Sequence, residues 1–427
     1  MKNVFANRNY RLVFFGILVS EVGALLYNFA VSFYILEISG NNAFLQGLYL
    51  AVCGAMVLVM MPIGGVLGDR FNKAGIMVIC DFIKGGIILA ATVLMLVFRS
   101  SAAHLIFLFI IGFLGNAVSG IFSPAAGALL PHIVEEKQLQ QANSYFSIRS
   151  SIQGIAGVVL AGVFYSALDI YTLFFIVGAC YVVSGISEIF IRYDYAVPEE
   201  RLTVKLAVQD LKTGFVYLKA QKVLMAFMVA ILFINFFITP VVGNFIPYFI
   251  KTDVGNANGY LLDKLIAPEF WLSVLQVLIG VGSLAAAAVL SAKPQADKCG
   301  RKITRMIAVM AVLMMGVTAA YWILVHKGTS LNGFLIVLSA GSLLFGISVT
   351  NVNIPANTAI MRIVDRNMLS KVSSLLSVAS QGLIPIASVL AGVILQGLGS
   401  AALLAFCAVG FAAATLLLLT NPHVDEL

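Results

Sequence analysis

Apolar runs of twenty or more residues follow one another along this chain with only short polar joints between them. A helix needs about 20 mostly apolar residues to cross the bilayer core, and by that measure the chain offers twelve spans. They cover residues 10–36, 43–67, 76–98, 103–130, 143–167, 169–192, 222–250, 270–292, 303–325, 332–358, 373–396 and 400–420. The one long polar interval, 193–221, divides them six and six. This predicts an all-α membrane protein with twelve transmembrane helices in two pseudo-symmetric six-helix bundles, over 1–192 and 222–427. Inside the interval, Val204, Val208, Leu211, Phe215 and Leu218 recur at helical spacing, with Lys205, Gln209, Lys212 and Lys219 elsewhere on the wheel. That pattern predicts an amphipathic helix lying on a membrane interface.

Composition agrees: 61% of residues are hydrophobic and 11% charged, and the mean hydropathy of +1.01 lies far above that of a soluble domain. The first run follows Lys2, Arg8 and Arg11, exceeds a signal-peptide core in length, and reads as a retained helix. Five scattered cysteines, Cys53, Cys80, Cys180, Cys299 and Cys407, imply neither a disulfide nor a metal site. Twenty lysines and arginines fall in the loops of one side, while the other side holds four, Arg99, Lys251, Lys264 and Lys327. The positive-inside rule therefore predicts a multi-pass protein of the cell membrane, plasma or bacterial inner, with both termini cytoplasmic. The net charge of +7 belongs to this asymmetry and to anionic lipid head groups, not to a nucleic acid.

The two halves echo each other. "PAAGALLPHIV" from Pro124 is matched by "PANTAIMRIV" from Pro355, and "VLAGV" occurs at 159–163 and 389–393. The charged corner "GGVLGDRFNKAG", 64–75, has a counterpart in "ADKCGRK", 296–302. Parallel six-helix repeats characterise one transporter architecture. With its GxLxDRxxK corner, the second copy of that corner, twelve spans and central loop, the chain resembles the major facilitator superfamily over essentially its whole length. More narrowly, "CDFIKGG", "LLPHIVEEKQLQQANS" and "DLKTGFVYL" resemble the drug/proton antiporter branch that contains macrolide-efflux proteins. Departures are visible too: Asn72 and Ala74 replace the usual glycine and basic residue, the fourth span carries no arginine, and the fifth-span antiporter signature is reduced to Gly157, Val158, Ala161 and Gly162.

The resemblance implies a cytoplasmic latch. Asp69 would face the positive end of the eleventh helix, beginning near Ser370, with Gly65 and Gly68 allowing a close turn and with Arg70 and Lys73 balancing Asp69 and Asp81. Its second copy would set Asp297, Lys298, Arg301 and Lys302 against the fifth helix, which Asn143 caps. The alternative is that both loops only satisfy the positive-inside rule.

Ionisable residues inside spans are costly and mark function by default. Glu21 lies near the middle of the first span and shares a helical stripe with Asn28 and Ser32. A proton or a cationic substrate can compete for such a carboxylate; a structural glutamate is the alternative. Arg149, with Gln153 one turn further on, can pair with Glu21 or Glu188 or snorkel to the interface. These make Glu21, Arg149 and Glu188 the proton-coupling candidates. Asp81 and Lys84 read as a local i, i+3 pair. Uncharged cavity candidates are Asn116, Ser119 and Ser123 in the fourth span, Asn235 and Thr239 in the seventh, and Asn351, Asn353 and Asn357 in the tenth, most of them expected in interhelical hydrogen bonds. Tyr27, Tyr34 and Trp271 are either stacking surfaces for a ligand or interfacial anchors.

No Walker loop, zinc spacing or nucleophile elbow occurs, so neither an enzyme nor a resident cofactor is expected. The leading reading is a monomeric secondary transporter that exports small amphipathic drugs or metabolites by alternating access, with protons and membrane lipids as its other partners. A lipid or lysolipid flippase and a non-transporting membrane sensor are the alternatives.

Overall fold

The computed structural model describes residues 4–135, 138, 142, 145–146, 149, 153–193, 215–216, 219, 221–257, 259–291, 300–364 and 380–419. Among the described residues the chain is helical, with no strand. The first helices are α1 (Arg8–Ile38), α2 (Ala43–Arg70), α3 (Lys73–Val97) and α4 (Ser101–Ile133). They are followed by α5 (Val158–Ala167), preceded by a π-turn at Gln153–Gly157, and by α6 (Ile170–Ile189). Next come α7 (Lys222–Thr239), α8 (Phe270–Ser291), α9 (Gly300–Ala320) and α10 (Leu331–Ile363). The last helical stretch, Ile384–Leu419, is broken at Gly399, whose φ of 83° is non-helical, and so forms α11 (384–398) and α12 (400–419). Among the described residues, ten stretches are long and apolar enough to cross a bilayer, the last of them being this joined pair, and Val158–Ala167 is shorter.

The joints follow local chemistry. Asn7 caps α1 by accepting from the backbone N–H groups of Asn9 and Tyr10, Ser100 caps α4, and Asp169 caps α6 through Tyr171 and Thr172, each satisfying donors that a helix start leaves open. The charged corner differs from its expected form. Gly68 lies in α2 itself, which runs on to Arg70; the turn is only Phe71 and Asn72, with the Asn72 side chain capping α3 at Gly75. Beyond α7 the helix widens into π-turns at Pro240–Phe245 and Ile250–Val254. Pro240 and Pro247 lack the N–H groups that a regular ladder needs.

The described chain forms two compact units, one of 1–40 with 52–207 and the other of 41–51 with 208–427. The expected boundary placed all of the second helix in the first bundle. Instead its opening turns group with the second unit, where Gly47 lies against Ser388 and Gly392 of α11 and the Ala43 N–H donates to Gln396 at 2.9 Å. Most of the expected interfacial helix lies outside the described residues.

Each unit repeats one packing device. In the first, Gly64 of α2 and Gly120 of α4 let the two backbones touch. In the second, Gly282 of α8 lies against Leu343, and Gly346 of α10 lies against Ile279. Ser283 adds a hydrogen bond to the Gly346 carbonyl at 3.1 Å. Small residues permit such approach where lipid offers no hydrophobic drive for association.

Candidate functional site

Inside the first unit lies a cavity of about 360 Å3 whose lining includes Glu21 from α1, Asp81 and Lys84 from α3, Ser119 and Ser123 from α4, Arg149 from the segment before α5, and Tyr181 from α6. The described residues of that segment, Ala142, Tyr145, Phe146 and Arg149, are helical and spaced along one face. Aromatic packing fixes that face. Tyr10 donates to the Ala142 carbonyl at 3.0 Å, Phe5 meets Tyr145 edge-on at 4.8 Å, and Tyr10 meets Phe146 at 5.8 Å.

Arg149 is thereby aimed at α1. Its Nη2 donates to Glu21 Oε1 at 3.1 Å, with the arginine side chain 8% exposed and the glutamate 36%. The guanidinium also lies over the Phe146 ring, 4.8 Å from its centre, which favours the cation. Gln153 sits beside the carboxylate. The pair is monodentate, and Arg149 Nε and Nη1 and Glu21 Oε2 have no partner among the described residues. A monodentate ion pair in a membrane interior holds its charges in place while leaving two buried donors and one buried acceptor unsatisfied among the described residues.

Asp81 does not belong to the corner. It is 1% exposed, lines the cavity, and has the Ser184 hydroxyl beside it, because helical spacing from Lys73 carries it two turns into α3. Nor is the local pair with Lys84 formed: no such ion pair occurs among the described residues, and Lys84 Nζ lies 4.8 Å over the Tyr181 ring instead. Glu188 is 1% exposed near the end of α6. It packs against Gly16 of α1 and faces Asp81, not Arg149, and both its oxygens lack partners among the described residues.

Four of the uncharged candidates donate to carbonyls of their own helices. Asn116 donates to Gly112, Ser119 to Gly115, Ser32 to Asn28 and Asn351 to Ile347. Asn28 and Asn353 are exposed, and Gln153, Asn235 and Thr239 are half-buried. Tyr27 and Tyr34 are buried: Tyr27 packs on Phe174, and Tyr34 shares a hydrogen bond of 2.5 Å with His104, whose other ring nitrogen meets the Met95 carbonyl. Trp271 is buried as well. In the corner, Lys73 is buried and its backbone N–H donates to Tyr193, Gly65 has open space around it, and Arg301 is exposed. The side chains of Asp69, Arg70 and Asn357, and Asp297 with the start of the eleventh helix, lie outside the described residues.

The cavity's contribution from Lys84 and Tyr181 was not expected from the sequence, although a lysine within the third span carries the signal that singled out Glu21. Also unexpected, in the second unit, is Asn244, fully buried and donating to the Ser388 carbonyl at 3.4 Å. A cavity of about 70 Å3 in that unit is lined by apolar residues such as Met310, Met314, Phe345 and Phe411, with Ser342 as a polar member.

Comparison with known proteins matches the Major Facilitator Superfamily model to residues 13–381. Two similar relatives are MFS-type transporters of Bacillus subtilis (strain 168). YkuC is 23% identical over 87% of this chain and 82% of its own; YvqJ is 24% identical over 93% and 88%. Among solved structures, a bacterial homologue of the iron transporter ferroportin in an inward-facing state matches with a TM-score of 0.72 at 15% identity, covering 96% of this chain and 98% of that one. A D-xylose-proton symporter matches with a TM-score of 0.66 at 13% identity, covering 99% of each. At such identities the two structures share the fold.

Proposed function

Because this chain belongs to the Major Facilitator Superfamily, and is thus a membrane transporter of that type, we propose that it is a proton-coupled secondary exporter of small amphipathic drugs or metabolites. The Glu21–Arg149 pair carries the proposal. It places one carboxylate, partly open to a cavity within the membrane, beside a cation that is almost wholly enclosed. A ligand that draws Arg149 away, or that supplies its own cation to Glu21, changes whether Glu21 needs a proton. That exchange is what couples a substrate to a proton gradient.

The test is flux in proteoliposomes with and without an imposed pH gradient, using lipophilic cations, macrolides and lysolipids. Glu21→Gln keeps the shape but cannot ionise. It is expected to lower gradient-driven flux by tenfold or more, about 1.4 kcal/mol in effective barrier, while gradient-independent exchange persists. Driven flux equal to that of the unsubstituted protein would remove Glu21 from coupling.

A further inference from the structure

The first unit's cavity brings two cations and two carboxylates to one space. Arg149, 8% exposed, leaves Nε and Nη1 without partners among the described residues. Lys84 has no carboxylate within ion-pair distance among those residues and rests on the Tyr181 ring. Glu21 Oε2 and, on the 1%-exposed Asp81, Oδ2 are likewise buried and without hydrogen-bond partners among the described residues. The formal charges of these four lining groups cancel; Glu188, which faces Asp81 from α6, does not line the cavity. In a membrane interior, a ligand bearing a single charge would leave one of them uncompensated, and uncompensated buried charge is the expensive case. A ligand with one charge of each sign leaves none.

We infer that this cavity binds a zwitterionic head group, its oxyanion on Arg149 and Lys84 and its ammonium on Glu21 and Asp81. The inference rests on the transport reading above and deepens it. The ligand's ammonium and a proton compete for Glu21, so substrate and proton occupy the site alternately, as exchange requires. Titratable groups facing Glu21 are Arg149 from the fifth helical segment, Asp81 and Lys84 across the cavity on α3, and Tyr181 on α6; α4 contributes the neutral Ser119 and Ser123. The zwitterion can be a lipid head group or a free amino acid or short peptide, since each presents an oxyanion and a primary ammonium.

The experiment is equilibrium ligand stabilisation of the full chain in maltoside micelles, read as melting temperature against ligand concentration. It requires no gradient, so a failure of coupling and a failure of head-group recognition are separable. The probes are lysophosphatidylethanolamine (zwitterionic), lysophosphatidic acid (anionic) and sphingosine (cationic), with alanyl-alanine as a soluble zwitterion. Lysophosphatidylethanolamine is expected to bind about tenfold more tightly than either singly charged lipid. Lys84→Gln should shift preference toward sphingosine, and Glu21→Gln toward lysophosphatidic acid. A merely structural role predicts uniform weakening without that swap. Binding of alanyl-alanine as well supports the inference with a soluble ligand; binding of the lysolipid alone supports it with a lipid head group. If neither zwitterion binds, if a singly charged lipid binds best, or if the preference is unmoved by Lys84→Gln, the inference is overturned. Should Glu21→Gln fail to fold, the Lys84→Gln arm decides alone.

Discussion

Arg149 spends one guanidinium nitrogen on Glu21, and its two others are buried without partners among the described residues, so its removal does more than delete one hydrogen bond. Arg149→Ala strands a carboxylate in the membrane interior. Breaking a fully buried pair costs about 3–5 kcal/mol; with Glu21 36% exposed, solvent screening reduces this to about 1–3 kcal/mol. Adding Glu21→Gln to that variant should recover part of the loss, because no charge is then left unpaired. Melting of the four proteins as a double-mutant cycle checks this, and strictly additive losses would show that the pair is not energetically coupled. Outside the membrane, Asp169 offers a pH-dependent counterpart. Hydrogen bonds from the Thr172 hydroxyl and backbone hold its carboxyl below the ordinary value of 3.8. Its cap therefore contributes fully above that value and is lost as pH falls through the lower folded value. Asp169→Ala should cost about 1 kcal/mol near neutral pH, and the gap from the unsubstituted protein should close under strongly acidic conditions. Melting curves across pH read the effect, and a gap independent of pH would mean that the carboxylate is not the cap.

Among the helices, the sharpest contrast is between glycines that touch a neighbouring backbone and those that do not. A methyl group at Gly346 would run into the Ile279 carbonyl, whereas Gly316 in α9 has open space around it. Gly346→Ala should therefore destabilise by about 1–3 kcal/mol through forced separation of α8 and α10. Gly316→Ala should stabilise by about 0.5–1 kcal/mol through helix propensity. Equal responses in thermal melting would refute the packing account. Gly399 belongs to a third class: its φ of 83° breaks the last two spans apart, and a side chain there costs about 1–2 kcal/mol. That break was legible in the sequence, because the apolar runs stop at 396 and restart at 400. The two copies of "VLAGV", 159–163 and 389–393, fall in α5 of the first unit and α11 of the second, whereas most of the second charged corner lies outside the described residues. The glycine contacts were not legible, since spacing shows which face a residue occupies but not how closely another helix approaches.

At the scale of the whole molecule, length and apolar content determine the number and order of the spans with little tertiary information, and the structure follows them closely. The site is less legible for a physical reason. Glu21 and Arg149 lie 128 positions apart in sequence, and their meeting depends on aromatic packing at Phe5, Tyr10 and Phe146 that no local pattern reveals. Asp81 shows the converse error: nearness in sequence to the charged corner suggested a role there, while helical rise carried it to the cavity. Membrane orientation depends on a global property, the clustering of lysine and arginine on one side, and is open to direct test. Phe71, in the short turn before α3, is 57% exposed and lies among the basic loops; Lys327 follows the π-turn that ends at His326 and belongs to the sparse side. In a cysteine-free background, Phe71→Cys should react with a membrane-impermeant maleimide only after intact cells are permeabilised, while Lys327→Cys should react from outside. Both positions avoid the cavity, so the variants should retain flux and report orientation alone. Labelling in the reverse pattern would invert the assigned topology, and with it the direction that export implies.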